Sequence, residues 1–299
     1  MKLIVKAPVR IDFAGGWTDI ELWTSHHTGA VLNATINHYV EGTLETLENH
    51  NQPSLSNTSD IALSYRSNIP AGSGLGTSAS MNVVFLFLIR YDYFHNKDLS
   101  LLAEAAFQME QILHIKGGKQ DQYAAVFGGF QFMSFDEKVH TEHLVIPSDI
   151  KKILTQRLIL CYTGKSRLSG NIHQKVWRRY ERGLLNETFR GLTATACSMK
   201  EALLSGDLPA FATLLNRNWE YQKNLDESIT NEEVERFFIT ASAAGAIAGK
   251  ACGAGGGGCL LFYCEEGQRS NIERALTEEG ATIIPFSFEE EGLTWKWEK

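Results

Sequence analysis

The chain is poor in several features that would assign it to a broad class. It has five cysteines, Cys161, Cys197, Cys252, Cys259 and Cys264, an odd number with no C-x-x-C spacing. That argues against a disulfide framework or a cysteine zinc site, and for reduced, mostly buried thiols in a cytosolic, cytoplasmic protein. No apolar run approaches the roughly 18 residues of a spanning helix. The apolar part of residues 1–10 is too short for a signal peptide. No membrane partner is therefore expected. Long basic runs are also missing and the formal charge is −7, which argues against nucleic acid. His140 and His143 lie close together, but no second ligand pair accompanies them, so a solvated strand or loop is expected there.

Two familiar phosphate fingerprints are missing as well. Gly164-Lys165-Ser166 has Ile159 where a Walker loop needs its first glycine. The segment from Gly245 to Ala251 has only three residues between its glycines and ends in alanine. Gly253, Gly255 and Gly258 match G-x-G-x-x-G, but they precede the strand-like Cys259-Leu260-Leu261-Phe262-Tyr263. A dinucleotide fingerprint follows a strand and opens a helix, so the match is not read as one.

What is present is glycine in particular places. Residues 70 to 80 read Pro70-Ala71-Gly72-Ser73-Gly74-Leu75-Gly76-Thr77-Ser78-Ala79-Ser80, ahead of the apolar run Met81 to Ile89. Alternate glycines leave the backbone bare where something comes close. A glycine loop that opens a helix offers free N–H groups and the positive end of the helix dipole to an anion. The hydroxyls of Thr77 and Ser78 can add a phosphate contact and a metal ligand. The other reading is a glycine-rich helix entry packed against a strand. Two further segments stand out. Lys6 to Asp19 combines a strand, the Gly15-Gly16 break and the polar, aromatic run Trp17-Thr18-Asp19. Asp19 can accept from hydroxyls and Trp17 can offer a ring face to a sugar, or the segment is a turn with a packed tryptophan. Lys250 to Cys259 holds five glycines in six residues, which would weaken ordinary structure and so implies close approach to a ligand or another loop.

The coarse pattern is α+β with a change of character near residue 150. We expect strand, a turn at Ala7-Pro8, and strand over residues 1–15, a strand from Ile36 to Leu47, and a polar loop from His50 to Asp60. Helices are expected over 76–95 and 99–115, a strand at Phe130 to Phe135 after Gly128-Gly129, and another at Leu158 to Tyr162. Residues 169–244 read as mostly helical with breaks near Leu185, Gly206 and Asp226. The tail alternates strand, helix (Gln268 to Glu279), strand, strand.

Taken in order, the three glycine segments resemble the three motifs of the galactokinase, homoserine kinase, mevalonate kinase and phosphomevalonate kinase family, the GHMP kinases. The middle segment is similar to that family's Pro-x-x-x-Gly-Leu-Gly-Ser-Ser-Ala loop, with Thr77 at the first serine. The resemblance implies a two-lobed α+β fold. A ribosomal protein S5-like lobe would span 1–150 and a ferredoxin-like α/β lobe 151–299. It implies ATP and Mg²⁺ as cofactors. Gly72, Gly74, Leu75, Gly76, Thr77 and Ser78 would hold the nucleotide, and Ser78 and Glu110 the metal. Asp121, eleven residues after Glu110, has the spacing of the family's aspartate beside the acceptor hydroxyl. Its position before a short helix also suits an N-cap. Arg10 matches the family's basic residue beside that aspartate and would lower its pKa, keeping it ionised.

Finer resemblance runs to kinases acting at the anomeric hydroxyl of sugars. Ala14 to Asp19, Leu32 to Asn37, Gly117 to Tyr123 and Tyr162-Thr163-Gly164 look like heptose 7-phosphate kinases. Trp17 departs from these, which usually carry glycine there, and agrees with fucokinases. The implied substrate residues are Gly16, Trp17, Thr18, Asp19, Gly118, Gln122, Gly255 and Arg167. Lys119, Lys165 and Arg167 are the candidates for a sugar phosphate, with solvated surface the favoured reading of Lys119. The competing readings are a fucose, other hexose or uronic acid 1-kinase of the same family, a mevalonate- or homoserine-type kinase, an inactive nucleotide- or sugar-binding relative, and a structural protein whose glycine loops serve packing.

Overall fold

The computed structural model describes residues 1–46, 61–70, 72–113, 117–166 and 170–298. The expected loop over 50–60 and Arg167 lie outside them. Strand β1 (Lys2–Ala14) carries apolar residues at every odd position from Leu3 to Phe13, each no more than 1% exposed. The set nevertheless changes neighbours midway. Leu3, Val5 and Ala7 pack in one cluster with Val84 and Leu102, whereas Val9, Ile11 and Phe13 pack in another with Phe211 and Leu215. The change coincides with a register shift: Pro8 faces Tyr39 but Val9 faces Ile36, leaving Asn37 and His38 as extra residues in the partner strand. Proline has no N–H to give the ladder, and a bulge accommodates it. The expected turn at Ala7-Pro8 is therefore an irregularity within one continuous strand. Beyond it, Arg10 and Asp12 share a face, as residues two apart on a strand do.

After β1 come α1 (Glu21–Thr24), β2 (Gly29–Thr46), β3 (Ile61–Ser67), α2 (Thr77–Ile89), α3 (Tyr91–Phe94), α4 (Ser100–Ile112) and α5 (Gln120–Phe127). Then follow β4 (Phe130–Phe135), β5 (Val139–His143), α6 (Ser148–Arg157), β6 (Leu158–Tyr162), α7 (Gly170–Glu181), α8 (Asn186–Ser205), α9 (Leu208–Lys223) and α10 (Glu232–Ala243). The chain closes with β7 (Ala246–Ala251), β8 (Cys259–Cys264), α11 (Arg269–Glu278), β9 (Thr282–Ile283) and β10 (Thr294–Glu298). The strand expected at Ile36 begins earlier, at Gly29. The helix expected over 76–95 ends at Arg90, whose backbone leaves the helical region at φ −128°, ψ 34°. His140 and His143 lie on β5, which is largely exposed.

The first sheet has the order β10-β1-β2-β4-β5, with β3 also paired to β2; the second runs β7-β8-β6-β9. All pairings are antiparallel. Helix α6 leads into the second sheet near residue 150, but β10 returns to the first sheet, with Lys2 opposite Glu298. The two halves also share a core: Phe13 and Leu32 lie in one apolar cluster with Leu160, Phe211 and Leu261. A common core of this kind favours fixed relative placement of the halves, and the cleft described below lies between them.

Candidate active site

Helix α2 starts at Gly76, a left-handed N-cap at φ 77° with no side chain closing the helix end. The first N–H groups of α2 are thus left for another acceptor. Ahead of it, Gly74 stands at φ 81°, and a Cβ there would lie 2.5 Å from the Cys252 carbonyl oxygen. Glycine is required at that point because the two glycine loops touch through their backbones. The contact continues where Cys259 N donates to Ser73 O at 2.7 Å.

Behind this loop lies the Arg10–Asp121 pair. Arg10 donates from Nε to Asp121 Oδ1 at 2.8 Å, and its second terminal nitrogen is 2.6 Å from the same oxygen. The other terminal nitrogen donates to Gly74 O at 2.6 Å, and Arg10 N donates to Leu75 O. Asp121 does not cap α5: the N-cap is Lys119, without a side-chain bond. Burial works against charge on Arg10, but the Asp121 and Asp12 carboxylates more than restore it and hold the guanidinium above its usual range. For Asp121, burial raises the carboxyl above its ordinary pKa and Arg10 offsets this only in part. Arg10 thus pulls the Asp121 pKa down as expected, but the net direction is upward, because the cost of desolvating the carboxylate outweighs the partner's attraction.

Glu110, near the end of α4, is 5% exposed. Its two oxygens accept from Asn82 Nδ2 at 2.9 Å and Gln122 Nε2 at 2.7 Å. Burial, reinforced by the Asp121 charge, pushes its carboxyl up to about 7. Asp19 accepts from Gln120 N at 3.0 Å, and burial pushes it up to about 6. Trp17 stands at φ 80°, the only non-glycine residue at positive φ among those described. Its ring meets His173 edge-on at 4.7 Å. Burial lowers His173 to about 4, so the imidazole is neutral near pH 7.

These groups line one cleft. Of the residues singled out in the sequence, Arg10, Gly16, Trp17, Asp19, Gly72, Gly74, Gly76, Thr77, Ser78, Glu110, Gly118, Asp121, Gln122 and Gly255 are on its wall. Leu75 is not: its side chain is fully buried beneath the loop. Thr18 is also fully buried. Its hydroxyl lies 2.8 Å from Gly15 O and 2.9 Å from Ala30 O and accepts from Ala30 N, so it fastens the segment and does not face the cleft. Lys119 is bound to Glu104 at 2.9 Å and Lys165 to Glu233 at 2.9 Å, and neither lines the cleft.

Sequence reasoning missed Asp12, Gln120, His173 and Lys250. Asp12, Gln120 and His173 are on the cleft wall, and Lys250 is buried against Asp12. Nothing local marks His173, which comes from the polar sequence of α7. Among described residues, Trp17 Nε1, Gln120 Oε1 and Gln122 Oε1 are buried without a hydrogen-bond partner. One donor and two acceptors left open beside Asp19 suit a ligand with several hydroxyls. Cys252 also borders the cleft, but burial pushes its thiol up to about 12, which makes it inert. Among the described residues, no helix is long and apolar enough to cross a membrane.

Known proteins resemble this chain in sequence and fold. Residues 38–129 match the GHMP kinases N terminal domain and residues 199–282 match GHMP kinases C terminal. The chain is 32% identical to D-glycero-alpha-D-manno-heptose 7-phosphate kinase of Campylobacter jejuni, over 99% of this chain and 100% of that protein. It is 27% identical to the bifunctional fucokinase/GDP-fucose pyrophosphorylase of Arabidopsis thaliana, over 93% of this chain but only 31% of that protein. The crystal structure of a D-glycero-D-manno-heptose 1-phosphate kinase from Bacteroides thetaiotaomicron superposes with a TM-score of 0.78 at 26% identity, covering 99% of both chains. With both family domains present and a sugar kinase relative aligned from end to end, the chain belongs to the GHMP kinase family and is a sugar kinase within it.

Proposed function

We propose that the chain transfers the γ-phosphoryl group of ATP to the anomeric hydroxyl of a sugar, with D-glycero-D-manno-heptose 7-phosphate as the acceptor. The observation that carries this reading is the Arg10–Asp121 pair, set between the first glycine loop and the polar segment from Gly16 to Asp19. The full-length similarity to a heptose 7-phosphate kinase supports the choice of sugar.

The chemistry then follows from position and charge, as phosphoryl transfer requires. The N–H groups around Gly74, Gly76, Thr77 and Ser78 receive the phosphates. The acceptor hydroxyl gives its proton to an Asp121 oxygen. Its own oxygen bonds to the γ-phosphorus, and the bond to the bridging oxygen of ADP breaks. A carboxylate whose pKa is raised by burial is the better proton acceptor for this step. Arg10 stabilises charge gathering on the transferred group. Ser78 and Glu110 present hard oxygens on the cleft wall and suit Mg²⁺. When bound there, the metal would neutralise phosphate charge. Gly16, Trp17, Asp19, Gly118, Gln122 and Gly255 surround the sugar, and Thr18 holds their segment.

A specific observation favours a second acceptor, an unphosphorylated sugar such as fucose. Arg10 is the only cation on the cleft wall among described residues, and it is already engaged by Asp121. Lys119 and Lys165 are both paired elsewhere. ADP release measured with heptose 7-phosphate, fucose, mannose, galactose and glucuronate distinguishes the two. Turnover is expected on heptose 7-phosphate, with phosphorus NMR showing an acid-labile glycosyl phosphate. Preference for fucose would transfer the assignment to the second acceptor. A stable primary phosphate, or no turnover on any of these sugars, would overturn the anomeric reading.

A further inference from the structure

Buried beside this cleft sits an ion pair that the phosphoryl transfer described above does not use. Lys250 is fully buried and the Asp12 side chain is 2% exposed. Lys250 Nζ donates to Asp12 Oδ2 at 2.6 Å and to Asp12 O at 2.8 Å. The other carboxylate oxygen, Oδ1, accepts from Gly253 N at 2.9 Å. The pair therefore joins strand β1 of the first sheet to strand β7 of the second and to the entry of the second glycine loop.

One face of β1 thus holds both loops. Arg10 grips the first through Gly74 O and Leu75 O, and Asp12 grips the second through Gly253 N. The loops in turn rest on each other, since a Cβ on Gly253 would lie 2.9 Å from Gly74 O and one on Gly258 would lie 2.7 Å from Ser73 O. Movement of Gly253 would therefore displace the loop whose carbonyl Arg10 holds, and with it the guanidinium facing Asp121. We infer that Asp12 and Lys250 form a positioning pair that sets the two glycine loops against Arg10 and Asp121. This rests on the kinase reading above for its consequence in turnover, though not for its consequence in loop geometry.

A buried pair broken on one side leaves an uncompensated charge, so single substitutions confuse position with stability. Two double variants separate them. D12N/K250M removes both charges but keeps a side-chain oxygen for Gly253 N; D12L/K250M removes that oxygen too. Both are expected to fold, D12N/K250M with a melting temperature near that of the unaltered protein and D12L/K250M with a lower one, because it leaves the Gly253 N–H without its acceptor. D12N/K250M, which loses the charge beside Arg10 and the Lys250 bonds, should lower kcat and raise the KM for ATP only severalfold, while D12L/K250M raises that KM about tenfold or more and lowers kcat by up to about 10²-fold, as misplacement by about an ångström can. Amide exchange over residues 253–258 and 72–76 should quicken in D12L/K250M alone. A folded D12L/K250M with unchanged kinetics and exchange would overturn the inference, as would equal impairment of both variants. If the unaltered protein shows no turnover, the kinase reading fails separately, and exchange together with ADP affinity by calorimetry still decides the role of the pair. Should D12L/K250M not fold, D12A/K250M carries the test, since it also removes both charges and the oxygen that holds Gly253 N: faster exchange at Gly253 supports the inference, and unchanged exchange overturns it.

Discussion

The two glycine loops have similar composition and opposite roles. The loop at 72–76 runs into the open end of α2 and leaves its donors facing the cleft. The loop at 253–258 runs between β7 and β8, and three of its N–H groups are engaged within the protein: Gly253 with Asp12, Gly256 with Ile229 O and Gly258 with Lys165 O. Glycine content alone therefore does not mark a phosphate cradle. What distinguishes the two is whether the donors beyond the loop have partners. In the proposed mechanism the first loop binds phosphate, while the second mainly braces the first and reaches the cleft at Gly255.

The largest effect that tests this contrast is expected beneath the first loop. Asp121→Asn keeps the shape of the side chain but removes the charge that, in the proposed mechanism, receives the hydroxyl proton. Turnover should fall about 10²- to 10⁴-fold, with ATP affinity changed much less. Near-normal turnover would show that Asp121 only anchors Arg10. The loops themselves are compared by Gly74→Ala and Gly255→Ala, both at positive φ, with a new Cβ 2.5 Å from Cys252 O and 2.7 Å from Ile229 O. Each should cost about 1–3 kcal/mol of stability. The KM for ATP should rise about tenfold or more in Gly74→Ala and distinctly less in Gly255→Ala. Equal shifts would erase the distinction between a binding loop and a supporting one.

A third effect concerns the metal and its pH dependence. Glu110 holds its proton up to about pH 7 because it is buried beside Asp121. This proton stabilises the ligand-free fold at low pH, fully so below the unfolded pKa. The contribution is lost as pH rises through about 7. Metal binding must displace the same proton, so Mg²⁺ affinity should tighten over this range, by up to about tenfold between pH 6 and pH 8. The Mg²⁺ concentration for half-maximal activity measures it. Glu110→Gln should weaken metal dependence and flatten the profile; an unchanged profile would remove Glu110 from the metal site. The smallest effect is expected at Thr18→Val, which leaves the Ala30 N–H without its acceptor and should cost about 1–3 kcal/mol. The melting temperature should fall while the sugar KM moves little. A large KM change would return Thr18 to the substrate.

The parts legible in the sequence are those with local causes. Alternate glycines followed by hydroxyls and an apolar run announced α2 and its open end, and the Gly128-Gly129 break announced β4. Part of the cleft wall was legible for the same reason, since Gly16, Trp17 and Asp19 sit within one short patterned segment, whereas Glu110 and Asp121 stood out through the spacing that the family resemblance implies. Features that depend on distant parts of the chain were not. Asp12 and Lys250 are separated by 238 residues, and neither carries a mark that it will be buried against the other. The direction of the Asp121 shift required knowing how thoroughly the pair is desolvated. At Pro8, the sequence shows that a ladder bond is lost, and only the partner strand shows that two extra residues absorb the loss.

The pairing of β1 with β10, Lys2 opposite Glu298, has a consequence for folding kinetics. The strand bearing Arg10 and Asp12 is bordered on one edge by residues almost a full chain length away. Its carboxylate at Asp12 is neutralised by a lysine from the second sheet. Contacts of such sequence separation form late, because the entropy of closing the intervening chain opposes them before they can stabilise anything. Strand β1 should thus be among the last elements to acquire its native surroundings during refolding. Partly folded molecules would then hold neither half of the phosphotransfer machinery in working order, and recovery of activity should coincide with the slowest refolding phase.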